Sequence, residues 1–261
     1  MYSIKRNQHE QTQTPEGCVQ CRQREELGFD FEFAYQPIVD LQNRRIYAHE
    51  ALVRGPHGEP SSSVLAHLTK ANLYRFDQAC RIKAIQGAAR LGMQERLSIN
   101  FMPNAVYRPE TCIRSTLNAA RELNFPIEKI IFEVNECEQI EDRPHLVEIF
   151  QEYKRLGFHT AIDDFGAGYA GLSLLSEFRP HVIKVDMQLV RGIDRNAAKQ
   201  SIVKGIAAIC SELGVEVLAE GIETTAERDF LFQAGISLMQ GYLFCKPAFR
   251  AIGAVEESSW L

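Results

Sequence analysis

The sequence predicts an α/β fold, a modified (β/α)8 TIM-type barrel whose first two strands form an antiparallel hairpin. Three observations predict it. The chain has 261 residues, and a barrel of alternating strands and helices needs about 250. From Phe29 onward, short β-branched runs alternate with stretches of helical apolar spacing, the crossovers that parallel strands require. Eight strand-like runs also end in, or run into, a carboxylate, amide or amine: Gln36, Glu50, Asn100, Glu133, Asp163-Asp164, Lys184, Glu220 and Gln240. Buried strands read as near-continuous apolar runs, so a polar group recurring where each run stops needs a partner, a metal or a substrate.

Residues 1–28 are polar and poor in aliphatics, the composition of a tail that buries little core. They contain Cys18-Val19-Gln20-Cys21, half of a zinc site, with His9 the only histidine nearby. The four-ligand set is incomplete, so two free thiols is the favoured reading over a metal or redox site. The barrel is expected over 29–251. Runs 31–41 and 44–53, separated by Gln42-Asn43, read as the hairpin. Helical spacing follows near 61–72, 77–91, 109–124, 143–156, 169–178, 196–213 and 224–234, each stretch leading toward the next strand. Gly157 and Gly214 stand where helices should stop, and Thr224 with Glu227 has capping-box spacing. Beyond Pro247 a short tail over 252–261 is expected.

The formal charge of −5, with 29 basic residues spread along the chain, argues against a nucleic-acid partner. No apolar run reaches the roughly 18 residues of a membrane span, and the N-terminus lacks a signal-peptide core, so a cytoplasmic protein is expected. Seven cysteines, including Cys80, Cys112, Cys137, Cys210 and Cys245 in apolar context, fit reduced core thiols.

In such a barrel the strand ends converge on one mouth. Glu50, Glu133, Asp163 and Asp164 with the Asn100 amide, four acids and an amide with no Cys or His among them, suit Mg²⁺ or Mn²⁺ better than zinc. The adjacent aspartates Asp163-Asp164 fit a two-metal phosphodiesterase; taken alone they would read as a helix cap and a solvated acid. Lys184, inside the apolar run HVIKVDM, should point into the mouth toward water or phosphate; the alternative is a lysine snorkelling on the outer face. Glu220 is a candidate acid beside the attacking water and a candidate general base. Arg54 suits forked contact with a phosphate, or else a surface ion pair. The glycine-rich stretch 164–171 reads as a mobile flap, and Glu136 as its anchor or as a plain surface acid.

Taken in order, Gln36-Pro37-Ile38, Glu50-Ala51-Leu52, the Asn100 strand, Glu133-Val134-Asn135-Glu136, Asp163-Asp164-Phe165-Gly166, Lys184-Val185-Asp186, Ala219-Glu220-Gly221-Ile222-Glu223 and Gln240-Gly241-Tyr242 resemble the EAL-domain family of cyclic di-GMP phosphodiesterases, from about Phe33 to Pro247. The resemblance implies hydrolysis of cyclic di-GMP to linear pGpG with two Mg²⁺ or Mn²⁺ ions and inhibition by Ca²⁺. It implies metal ligation by Glu50, Asn100, Glu133, Asp163 and Asp164, with Lys184 and Glu220 at the water. Substrate contacts would come from Gln36, Leu52, Arg54, Asp186 and Gln240, a flap would be anchored by Glu136, and a homodimer would form through the flap and neighbouring helices. The chain departs from the family at Asn135, where Thr is usual, and at Ala167, Ala170 and Gly171, where Thr and paired Ser are usual. Lost hydroxyls predict a looser flap. The competing reading is a cyclic di-GMP receptor or protein-binding module without turnover; degenerate members usually lack a metal ligand, and this chain lacks none. A barrel lyase or isomerase using one Mg²⁺ fits the paired aspartates and Arg54 less well.

Overall fold

A computed structural model describes residues 27–136, 142–168 and 171–260. Its strands are β1 (Glu32–Asp40), β2 (Arg45–Arg54), β3 (Arg96–Asn100), β4 (Ile130–Asn135), β5 (His159–Phe165), β6 (Val182–Val185), β7 (Glu216–Ala219), β8 (Leu238–Met239) and β9 (Ala248–Phe249). Strands β2 to β8 run parallel in sequence order, and β1 closes the ring between β8 and β2, antiparallel to both. The expected hairpin is present. Its turn is held by Asp40, whose carboxylate accepts from Asn43 N at 3.2 Å and Asn43 Nδ2 at 2.7 Å.

The crossovers are α1 (Ser61–Leu65), α2 (Leu73–Arg90), α3 (Pro109–Cys112), α4 (Arg114–Glu122), α5 (Arg143–Arg155), α6 (Gly171–Glu177), α7 (Met187–Val190), α8 (Ala197–Leu213) and α9 (Thr225–Gln233). The helix expected over 61–72 stops at Leu65. Asn72 accepts from Thr69 N at 2.7 Å and donates to His67 O at 3.0 Å, folding 67–72 into a turn that competes with helix. The next helix therefore begins at Leu73 and not at 77. The expected helix over 109–124 is interrupted at Ile113, and α7, which helical spacing did not announce, is nucleated by the Asp186 cap.

Period-two alternation organises the barrel interior. Ile38, Tyr47, Ala48, Ile131, Ala161, Val182, Leu218 and Leu238 form a buried plug contributed by seven of the eight ring strands. Two residues further along the same faces stand Glu50, Glu133, Asp163, Lys184, Glu220 and Gln240. The plug thus forms the floor of the mouth. Outside the ring, aromatic and aliphatic side chains of strands and helices make the larger core.

The expected C-terminal tail packs onto the barrel. Strand β9 pairs with β1, Ser259 is buried, and Arg228 Nη1 donates to Ser259 O and Trp260 O, both at 3.0 Å. A run too short for periodicity can still dock when a buried arginine binds its carbonyls. The Cys18/Cys21 pair and Cys137 lie outside the described residues; Cys80, Cys112 and Cys210 are buried free thiols, whereas Cys245, expected in the core, is half-buried. No helix among the described residues is long and apolar enough to cross a membrane.

Thr224 and Glu227 make a reciprocal capping box at the start of α9. Thr224→Ala should lower stability by about 1 kcal/mol, read as a shift in urea midpoint. An unchanged midpoint would mean that the box contributes nothing.

Candidate functional site

Lys184 is buried in the mouth with 1% of its side chain exposed, and its ammonium lies among inward-facing carboxylates, which rules out the outer face. Its Nζ is 2.8 Å from Glu220 Oε1, 2.9 Å from Asp163 Oδ1, 3.0 Å from Glu133 Oε2 and 3.5 Å from Glu50 Oε2. The Asp163 contact is an ion pair without hydrogen-bond geometry. These groups come from β2, β4, β5, β6 and the residue after β7, and parallel alternation aims each inward. Asn100, at the end of β3, donates to Glu50 Oε1 at 3.2 Å, and Gln240 donates to Glu50 Oε2 at 2.9 Å.

Gln36 is not at a strand end: it sits in the middle of β1, opposite Glu50, which itself lies four residues short of the end of β2. Because β1 runs against its neighbours, the mouth lies two residues before the plug residue Ile38 rather than two after it. Its Nε2 donates to Cys245 O at 3.1 Å.

Consecutive residues of a regular strand face opposite sides, so two adjacent aspartates cannot both enter the mouth without a break. The break is present. Pairing between β5 and β6 shifts register between Ile162 and Phe165, and Asp164 has φ 53°, a left-handed conformation that Asp tolerates better than most residues. Asp163, Asp164 and Glu220 then bring ligand oxygens within 4.8 Å of one another, as do Glu50, Glu133 and Asp163. Asp163 belongs to both sets.

One ammonium among so many buried acids leaves an excess of negative charge. Burial, reinforced by Glu50 and Asp163 and opposed by Lys184, pushes the Glu133 carboxyl up to about 8. Burial likewise raises Glu220 well above the usual carboxylate range, and burial with the neighbouring Asp163 pushes Asp164 up to about 6. For Lys184 burial works against the charge, but the surrounding carboxylates outweigh it and hold the amine protonated. The single Lys184 ammonium does not balance these carboxyls, and an all-oxygen donor set with charge to spare is the chemistry that Mg²⁺ or Mn²⁺ takes.

Two cavities adjoin the cluster, sharing Glu50, Leu52, Asp163 and Asp164. One of about 520 Å³ has an apolar wall including Phe33, Phe76, Phe101 and Met102, with Arg54 at its edge. The other, of about 300 Å³, is lined by Gln36, Gln240, Met187, Arg191 and Tyr242 among others. Asp186 lines neither; it caps α7, accepting from Gln188 N at 2.8 Å.

Glu136 is buried and is no surface acid: its Oε2 accepts from Gly166 N at 2.7 Å and Gly168 N at 3.3 Å. Asn135 donates to Asp164 Oδ2. Of the flap departures, Ala170 lies outside the described residues. Sequence reasoning missed Ser98, which donates to Glu133 Oε1. The signal was there, because Ser98 is two residues before Asn100 and shares its face.

Residues 21–247 match the EAL domain family. Among solved structures, a standalone versatile EAL protein from Vibrio cholerae O395, in its c-di-GMP bound form, superposes with TM-score 0.87 at 50% identity, covering 90% of this chain and 99% of that one. Two curated relatives come from Escherichia coli K12. The blue light- and temperature-regulated antirepressor BluF is 33% identical over 224 residues, 85% of this chain and 56% of that protein. The cyclic di-GMP phosphodiesterase PdeR is 35% identical over 156 residues, 60% of this chain and 23% of that protein. The chain thus spans little more than half of the one and about a quarter of the other. With the match over most of its length and the family's motifs gathered at one barrel mouth, this chain belongs to the EAL domain family.

Proposed function

We propose that this chain hydrolyses one 3′–5′ phosphodiester of cyclic di-GMP to linear pGpG with Mg²⁺ or Mn²⁺. The observation that carries the reading is the pair of oxygen-donor sets sharing Asp163, placed where two cavities meet. A cyclic dinucleotide carries a base on either side of its phosphodiester ring, and adjoining cavities suit that shape. The c-di-GMP bound to the Vibrio cholerae protein and the activity named for PdeR support the same substrate.

Glu50, Asn100, Glu133, Asp163 and Asp164 would hold the cations. When bound, such ions activate water and offset charge on the phosphate oxygens. Lys184 lies among these ligands and would steady the attacking water and the phosphate. Glu220 Oε1 would take the proton of that water as its oxygen bonds to phosphorus and the P–O3′ bond breaks, and the departing O3′ would take up a proton from solvent to become the 3′-hydroxyl of pGpG. Gln36, Leu52, Arg54 and Gln240 would orient the dinucleotide, Asp186 would act on it only through α7, which it caps, and Glu136 would hold the flap.

Incubation with cyclic di-GMP and Mg²⁺ or Mn²⁺, followed by chromatography, should yield pGpG. Ca²⁺ should permit binding and suppress turnover to background, because its longer, looser coordination mis-spaces the reacting oxygens. Equal rates in Ca²⁺ and Mg²⁺ would exclude a geometry-sensitive site. Binding without cleavage in every divalent ion would replace the hydrolase with a cyclic di-GMP receptor, and neither binding nor cleavage would leave a protein-binding module, the reading that the similarity to the antirepressor BluF favours.

A further inference from the structure

Behind the apolar wall of the larger cavity, the Arg81 side chain on α2 is wholly buried. Its Nη2 is 2.7 Å from Asp77 Oδ2, one turn earlier on the same helix, and its Nη1 donates to Tyr153 OH on α5 at 2.6 Å. The guanidinium lies 5.1 to 5.6 Å from the ring centres of Phe132, Phe101 and Tyr153. Its Nε finds no hydrogen-bond acceptor among the described residues, and the Nη2 contact with Asp77 is an ion pair without hydrogen-bond geometry. Buried ion pairs seldom stabilise a fold more than well-packed apolar residues of the same volume, and one with an unmet donor does so less. Stability alone is thus a poor reason for this pair.

Its other contacts lead to the mouth. Asp77 Oδ1 accepts from Met102 N at 2.9 Å, while the preceding amide, Phe101 N, donates to Glu133 O at 3.0 Å. The backbone leaving Asn100 is therefore pinned on two sides, once to the strand bearing Glu133 and once to a buried carboxylate held by Arg81. Asp77 itself lines the larger cavity with Asn100, Phe101 and Met102. Small errors in the direction of a ligand side chain weaken a metal site, and partners behind the ligands commonly set that direction.

We propose that Asp77 and Arg81 are positioning residues, which fix the Asn100 amide toward the cation and the Met102 wall toward the substrate base. This rests on the phosphodiesterase reading for the identity of both ligands. The apolar double variant Asp77→Leu/Arg81→Met removes the acceptor of Met102 N together with its counter-charge and leaves no orphaned ion, so it should fold and melt near the parent. Calorimetric titration with Mn²⁺ alone should show a Kd raised roughly 10-fold or more. Saturating Mn²⁺ should restore kcat for cyclic di-GMP, with KM still raised. Asp77→Asn keeps the shape and a weaker acceptor and should fall between the two, which retains the test if the double variant does not fold. Parental Mn²⁺ affinity and parental KM in either folded variant would overturn the proposal and leave the pair a packing element. A parent that binds Mn²⁺ without hydrolysing would end the phosphodiesterase reading while the Mn²⁺ comparison still judged the positioning role. If the parent bound no Mn²⁺, affinity for cyclic di-GMP would judge it through the Met102 wall.

Discussion

Asp163→Ala should abolish hydrolysis of cyclic di-GMP. Asp163 is the carboxylate common to both donor sets, so its loss removes a ligand from each at once. Metal ions supply several kcal/mol of transition-state charge stabilisation, and each 1.36 kcal/mol is tenfold in rate, so a loss of about three orders of magnitude is expected. Glu50→Ala, which also strips the acceptor from Asn100 and Gln240, should come close to it. Both variants should fold, since the plug beneath the mouth is untouched. Turnover near that of the parent at saturating Mn²⁺ in the Asp163 variant would place the chemistry elsewhere.

Lys184→Ala separates catalysis from binding. The ammonium sits among four carboxylates and lines neither of the two cavities, so its removal should cost most of kcat and little affinity for the dinucleotide. Turnover in Mg²⁺ and calorimetry in Ca²⁺ measure the two quantities. The variant carries a second expectation. Removing one partner of a buried pair leaves uncompensated charge, typically about 3–5 kcal/mol of destabilisation, so the melting temperature should fall in chelator and recover when Mn²⁺ supplies the missing positive charge. A binding role would instead show as lost affinity with kcat preserved. An unchanged melting temperature in chelator would mean that the carboxylates share protons and do not depend on the lysine.

Much of the site was legible in the chain before any folding was known. The polar residue that breaks each apolar run identifies Glu50, Asn100, Glu133, Lys184, Glu220 and Gln240, because parallel strands bring corresponding inward residues to the same level of the barrel whichever strand they are on. The hairpin, the helix stops before Gly157 and Gly214 and the capping box were legible for a similar reason: each is written in neighbouring residues. The early stop of α1 was not, since two side-chain bonds from Asn72 outweigh the apolar spacing across 61–72.

Contacts between residues distant in sequence decided the rest. That Asp163 and Asp164 enter one mouth depends on a register break against β6 and on a left-handed backbone at Asp164, neither of which a dipeptide encodes. Gln36 reaches the rim from the middle of its strand because β1 closes the ring in the opposite sense. Arg81 reads as an ordinary surface residue of an amphipathic helix until Tyr153, Phe101 and Phe132, from three other segments, enclose it. Periodicity along the chain determined which residues face inward; which of them touch, and in what state of charge, was decided by packing, because burial and the Coulomb field of neighbours act through space.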